Sequence, residues 1–312
     1  MVSKSFEAYR TNTQPFSVPR LIIGTVLILL IWFGIGVAIV LLALATNIAE
    51  KLPWDENEFI LAAVFISFPG IWIGIWLVMR FLHRQPLTKL FGIEGKIAWG
   101  DYARAFIATI VWLLIAEALM YLLFQDLERT ERQRAAWFFS FIPLMAVLFI
   151  QTSAEELLFR GYLMRGIASR FRSPWLWILI PSVSFIALHY SPDLSLASLF
   201  IVAIDITAFT TLAVVVTYAT GNLGAALGCH MANNLFVGLV ISHESELSGL
   251  ALFRGVQLDQ PDLSSTVLIA FPVLSVLFIA VQTLMLLHPK SPLRLTGYIR
   301  TAPTVAAMAD GA

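Results

Sequence analysis

Residues 137–160 read WFFSFIPLMAVLFIQTSAEELLFR: apolar for most of their length, then Glu155, Glu156 and Arg160 close together near one end. A helix needs about 20 predominantly apolar residues to cross the hydrocarbon layer, so this stretch reads as a membrane span with charges set into it. The same test applied outward finds seven more, giving Leu21–Ala45, Phe59–Leu82, Ala105–Phe124, Trp137–Arg160, Trp175–Tyr190, Leu194–Ala219, Leu223–Ser242 and Thr266–His288. Composition agrees, with 59% hydrophobic and 13% charged residues where a soluble domain carries roughly a quarter charged. The expected fold is an all-α polytopic membrane bundle of eight helices over residues 21–290, between a cytoplasmic N-terminal tail (1–20) and a cytoplasmic, Ala- and Thr-rich tail (291–312).

Charge narrows the partners. Lys plus Arg and Asp plus Glu both number 20, so no basic excess exists to displace counterions from a nucleic acid backbone, and no nucleic acid partner is expected. The single cysteine, Cys229, rules out an intrachain disulfide and a Cys-x-x-Cys metal ribbon. Lys and Arg fall fifteen to one side of the spans and five to the other, the minority being Lys51, Arg129, Arg132, Arg134 and Arg254. Cytoplasmic loops are the basic ones, so both termini are expected in the cytoplasm of a cell-membrane protein. The first span is too long for a signal-peptide core and is expected to remain as an anchor. Pro86–Asp101 mixes apolar side chains with Lys89, Glu94 and Lys96 and is expected to form an interfacial helix.

Ionisable groups inside hydrocarbon cost several kcal/mol and mark function by default. Seven fall within the spans: Glu117, Glu155, Glu156, Arg160, His189, Asp205 and His230, with Asn233 and Asn234 beside the last. Glu156 and Arg160 stand four apart, acid first, the favourable order for an ion pair along a helix. Glu155 is rotated by about 100° from its neighbour and is free to face a cavity. Phe185 and His189 repeat the four-residue spacing, as do His230 and Asn234, and Gly221, Gly224 and Gly228 precede the latter as sites of close helix approach. Counted from one interface at 1.5 Å per residue, Glu155 lies roughly 15 Å deep, His189 roughly 18 Å and His230 roughly 12 Å, one level within a helical turn. His83, His243 and His288 fall at span ends and read as interfacial.

Three motifs in successive spans, EExxxR at Glu155, Glu156 and Arg160, FxxxH at Phe185 and His189, and HxxxN at His230 and Asn234, together resemble the CPBP family. These are intramembrane proteases that include the type II CAAX prenyl endopeptidases and Abi-like bacteriocin-processing or immunity proteins, and the resemblance covers about residues 137–242. It implies peptide-bond hydrolysis in a membrane cavity: Glu155 as general base on a water, Glu156 held by Arg160, His189 and His230 holding a metal ion or the water and oxyanion, and Asn234 donating to that oxyanion. Glu155, His189 and His230 would also complete a three-ligand zinc site, in which case Glu156 would serve as base; zinc-assisted and metal-free mechanisms both remain open. The implied substrate is a membrane-associated peptide or protein, prenylated or not, in a lipid bilayer. A haem carrier using the two histidines, a proton-coupled transporter using Glu117 and Asp205, and a non-catalytic scaffold or immunity protein are the alternatives; the absence of a convincing internal repeat weighs against the transporter.

Overall fold

A computed structural model describes residues 3–12, 14–47, 56–130, 134–192, 194–243, 250–258, 260 and 262–297. Lys51, Arg132, Arg300 and the tail beyond residue 297 lie outside these. The described chain is helical almost throughout: α1 (Lys4–Thr11), α2 (Val18–Thr46), α3 (Glu56–Ser67), α4 (Pro69–Leu77), α5 (Trp99–Phe124), α6 (Arg134–Glu156), α7 (Arg165–Arg170), α8 (Pro174–Ala187), α9 (Leu196–Thr220), α10 (Gly224–Leu239) and α11 (Ser265–Leu287). Two π-helical stretches, Val78–His83 and Leu157–Met164, continue α4 and join α6 to α7.

Among the described residues, six helical runs are long and apolar enough to cross a membrane: 18–46, 62–83, 99–124, 141–170, 196–220 and 265–287. The other two expected spans exist as shorter helices, α8 with 14 residues and α10 with 16. Sequence chemistry sets the boundaries. Ser17, Ser195 and Ser264 cap α2, α9 and α11, each side chain accepting a bond from the backbone N–H three residues on. Pro69, which has no N–H to donate, begins a new helix after Phe68. Leu, Ile, Val and Phe on the outer faces of α2, α5 and α11 are left exposed, as a lipid-facing helix requires.

α10 is buried along nearly its whole length and packs on α5, α6 and α9. Gly224 and Gly228 permit this: a Cβ on Gly228 would collide with the Tyr102 carbonyl, and one on Gly224 would stand 2.6 Å from that of Ala98. Gly221 ends α9 in the left-handed conformation, φ +64°, and is also a site of close approach, since a Cβ there would stand 2.5 Å from the Ser5 carbonyl of the helix Lys4–Thr11.

The expected interfacial helix at Pro86–Asp101 is not formed. Leu87–Leu90 makes one 3-10 turn, and helix resumes only at Trp99. The intervening backbone bonds to the α9–α10 turn instead: Asn222 Nδ2 donates to the Lys96 carbonyl (2.7 Å), Asn222 Oδ1 accepts from Ala98 N–H (2.9 Å), and Leu223 N–H donates to Phe91 (3.0 Å).

At the same end of the bundle, the expected N-terminal tail contains α1, an amphipathic helix that buries Phe6 and Tyr9. Arg165 donates to the Tyr9 carbonyl (3.1 Å) and to Asn12 Oδ1, and Ser3 N–H donates to Tyr218 Oη (2.7 Å). Thr296 N–H reaches Asp101 (2.8 Å) while Leu295 packs inward, so both ends of the described chain dock on one end of the bundle. Arg160 and Arg165, counted above as loop charges, are buried in the helix; the charge imbalance survives their removal. At the opposite end β1 (Glu128–Arg129), β2 (Ile241–Ser242) and β3 (Phe253–Arg254) form a small sheet in the order β1-β3-β2.

Candidate active site

The site begins with the i,i+4 pair on the fourth span. Arg160 donates through Nη1 to Glu156 Oε1 (3.0 Å), both side chains being almost wholly buried. Its other amino group donates to Thr210 Oγ1 on α9 (2.7 Å), and its guanidinium lies over the Phe185 ring at 4.7 Å and near Phe209 at 5.7 Å. Arg160 is thus fixed by three helices.

α10 brings His230 to the same carboxylate. His230 Nδ1 lies 2.8 Å from Glu156 Oε1 and Nε2 lies 3.4 Å from Glu155 Oε2. Because Glu156 already accepts from Arg160, its bond to Nδ1 holds that nitrogen as a donor and turns Nε2 toward Glu155. The Glu155–His230 contact has ion-pair distance without hydrogen-bond alignment, and Glu155 Oε2 is buried with no hydrogen-bond donor among the described residues. Glu156 Oε2 is in the same position but shares a carboxylate already neutralised by Arg160. The chain turns from α- to π-helix directly after Glu156, an irregularity that recurs at functional sites.

The remaining expected residues divide. Asn234 lies one turn along α10 from His230, and its Nδ2 donates to Gln151 Oε1 on α6 (2.8 Å), while its Oδ1 accepts from Asn233 (3.3 Å). His189 is not bonded to the cluster: α8 ends at Ala187, and the exposed imidazole turns back with Nδ1 2.8 Å from the Phe185 carbonyl. The Phe185 ring lies 4.6 Å from His189 and 6.0 Å from His230. Glu155, His189 and His230 therefore do not converge as a zinc site, and no three His, Cys, Asp or Glu side chains among the described residues are placed to hold a metal. Both His230 nitrogens face carboxylates.

Glu117 and Asp205 belong to another cluster toward the opposite end. His243 lies with Nε2 2.8 Å from Glu117 Oε1 and Nδ1 2.9 Å from the Val256 carbonyl, while Asp205 accepts from Ser275 (2.9 Å). His243, expected at an interface, is instead mostly buried.

Thr210 and Gln151 escaped the sequence reading. Thr210 gave no signal, because threonine is common in apolar helices. Gln151 gave one: it is a polar side chain four residues before Glu155 on the same face.

Residues 135–236 match the family model described as Type II CAAX prenyl endopeptidase Rce1-like. The likeness to this family is carried by that segment, about a third of the chain. The Rce1-like segment contains all the motif residues and the helices that bring them together, α6 through most of α10. The Bacillus subtilis (strain 168) protein named Uncharacterized protein YyaK is 27% identical over 178 residues, 56% of this chain and 59% of that protein. The chain thus matches somewhat under two thirds of that relative's length. No solved structure matches the chain. With six long apolar helical runs among the described residues, the chain is a multi-pass membrane protein that carries an Rce1-like segment.

Proposed function

We propose that this protein is an intramembrane endopeptidase that hydrolyses a peptide bond of a membrane-associated substrate, with Glu155 activating the attacking water. The observation that carries this reading is the buried Glu155 Oε2, which lacks a hydrogen-bond donor and faces a histidine whose other nitrogen is tied to the Glu156–Arg160 pair. A buried carboxylate oxygen without a protein donor is a place for a water, and a carboxylate within reach of a water is a general base. Glu156, with its charge met by Arg160, positions His230.

In the proposed reaction the water oxygen bonds to the scissile carbonyl carbon as Glu155 takes a water proton, and the carbonyl electrons move to oxygen. His230, held through Nδ1 by Glu156, lies beside Glu155 and the charge developing there. Collapse breaks the C–N bond, and Glu155 returns the proton to the departing amine. Asn234 keeps one Nδ2 hydrogen for substrate beyond the one given to Gln151. The Lys and Arg asymmetry supports a cytoplasmic placement of the end where the chain termini dock.

The test is cleavage of a panel of prenylated and unprenylated membrane peptides by the purified protein, intact or with Glu155→Gln, each with and without chelator. Cleavage by intact protein that falls at least 10³-fold in the variant is the expected result; undiminished cleavage by Glu155→Gln overturns the reading. The prenylated and plain peptides report the substrate class, and the chelator arm reports metal dependence.

A further inference from the structure

We propose that Gln151 is a second donor to the oxyanion, acting on the substrate carbonyl directly. The inference rests on the hydrolase reading above and adds a residue outside the three motifs.

Gln151 and Glu155 are four apart on α6, and His230 and Asn234 are four apart on α10. The contacts Glu155–His230 (3.4 Å) and Gln151–Asn234 (2.8 Å) are therefore successive rungs between two antiparallel helices, separated by about 6 Å along the axis. The hydrogen bonds orient the second rung. Asn233 donates to Asn234 Oδ1, which leaves Asn234 Nδ2 to donate to Gln151 Oε1. Gln151 Nε2 is then the end of the amide without a partner among the described residues, on a side chain that is 6% exposed.

Chemistry gives the unpaired donor a task. A water hydrogen-bonded to Glu155 and the carbonyl it attacks together span roughly the 6 Å between rungs, so the carbonyl oxygen falls beside the amides of the second. As the water oxygen bonds to carbon and Glu155 takes the proton, charge collects on that oxygen, where Gln151 Nε2–H and the spare Asn234 N–H can meet it. Both hydrogen bonds strengthen only as the oxyanion forms, which lowers the barrier without tightening ground-state binding. The bond between the two amides holds their donors in place beforehand.

The experiment uses the full chain and whichever peptide of the panel it cleaves in a Glu155-dependent manner. Gln151→Met, Asn234→Ala and their combination are compared by kcat and KM, with thermal unfolding as the folding control. Loss of one oxyanion donor costs about 10²–10³-fold in kcat, so Gln151→Met is expected to fall in that range with KM within threefold, and to lose at least a further tenfold when added to Asn234→Ala. Gln151→Asn keeps the amide but shortens its reach, and is expected to fold and lose at least tenfold. Unchanged kcat in both Gln151 variants overturns the proposal. So does a Gln151→Met effect that vanishes in the Asn234→Ala background, which would make Gln151 only a support for Asn234. Cleavage that survives Glu155→Gln instead overturns the hydrolase reading on which the proposal rests.

Discussion

Replacing Arg160 by Met removes a buried cation and leaves its partners in place. The bonds lost are those to Glu156 Oε1 at 3.0 Å and Thr210 Oγ1 at 2.7 Å, together with the contact over Phe185 at 4.7 Å. Breaking a buried ion pair by removing one member costs about 3–5 kcal/mol, because the remaining charge is uncompensated. The stranded Thr210 hydroxyl adds about 1 kcal/mol. At roughly 2–4 °C per kcal/mol for domains of 150–250 residues, the thermal midpoint should fall on the order of 10–20 °C, read by tryptophan fluorescence of purified protein in detergent. Adding Glu156→Gln separates charge from packing. The carboxamide removes the stranded charge yet keeps an oxygen for His230 Nδ1, so the double variant is expected to recover at least half of the loss. A shift below about 3 °C for Arg160→Met, or a double variant no more stable than the single, would refute the account of Glu156 as a charge held by Arg160.

His243 should make stability depend on pH. Burial lowers an imidazole's pKa, but here the hydrogen bond and charge of Glu117, the Val256 carbonyl and the charge of Asp205 more than offset it, and the net shift is upward. The stabilisation is fully present below the unfolded value, about 6.5, and is lost as pH rises through the folded value. Thermal midpoints measured from pH 5 to 9 should fall across the alkaline part of the range and flatten in Glu117→Gln; a wild-type profile with no such fall refutes it. Gly228→Ala should separate α10 from α5, since the new methyl would meet the Tyr102 carbonyl and the backbone cannot yield as a side chain would. Overpacking of this kind costs about 1–3 kcal/mol or more, and cleavage should fall with stability as His230 moves; wild-type midpoint and activity would show that the helices do not pack so closely.

Much of the architecture was legible because it is local. Apolar runs give membrane helices, and the serine caps and Pro69 set helix boundaries. Where the reading erred, the backbone had a better partner elsewhere. Pro86–Asp101 has the composition of an interfacial helix, yet Asn222 takes up the bonding of Lys96 and Ala98. The first residues read as a cytoplasmic tail, yet Phe6 and Tyr9 are the buried face of α1, and Arg165, counted among the loop charges, is bonded to its backbone. Residues this far apart in the chain carry no periodic signal that they meet.

The sequence by itself determined the helices, the Glu156–Arg160 pair and the four-residue spacing that puts Gln151 with Glu155 and His230 with Asn234, because one helical turn dictates which side chains share a face. Only the tertiary structure decided that His230 bonds Glu156, that Thr210 takes the second arm of Arg160, that Gln151 meets Asn234, and that His189 turns back to the Phe185 carbonyl. These meetings depend on the rotation and depth of one helix against another. Those are set by the sum of packing along each interface, down to the space left by Gly224 and Gly228, and not by any motif within one helix.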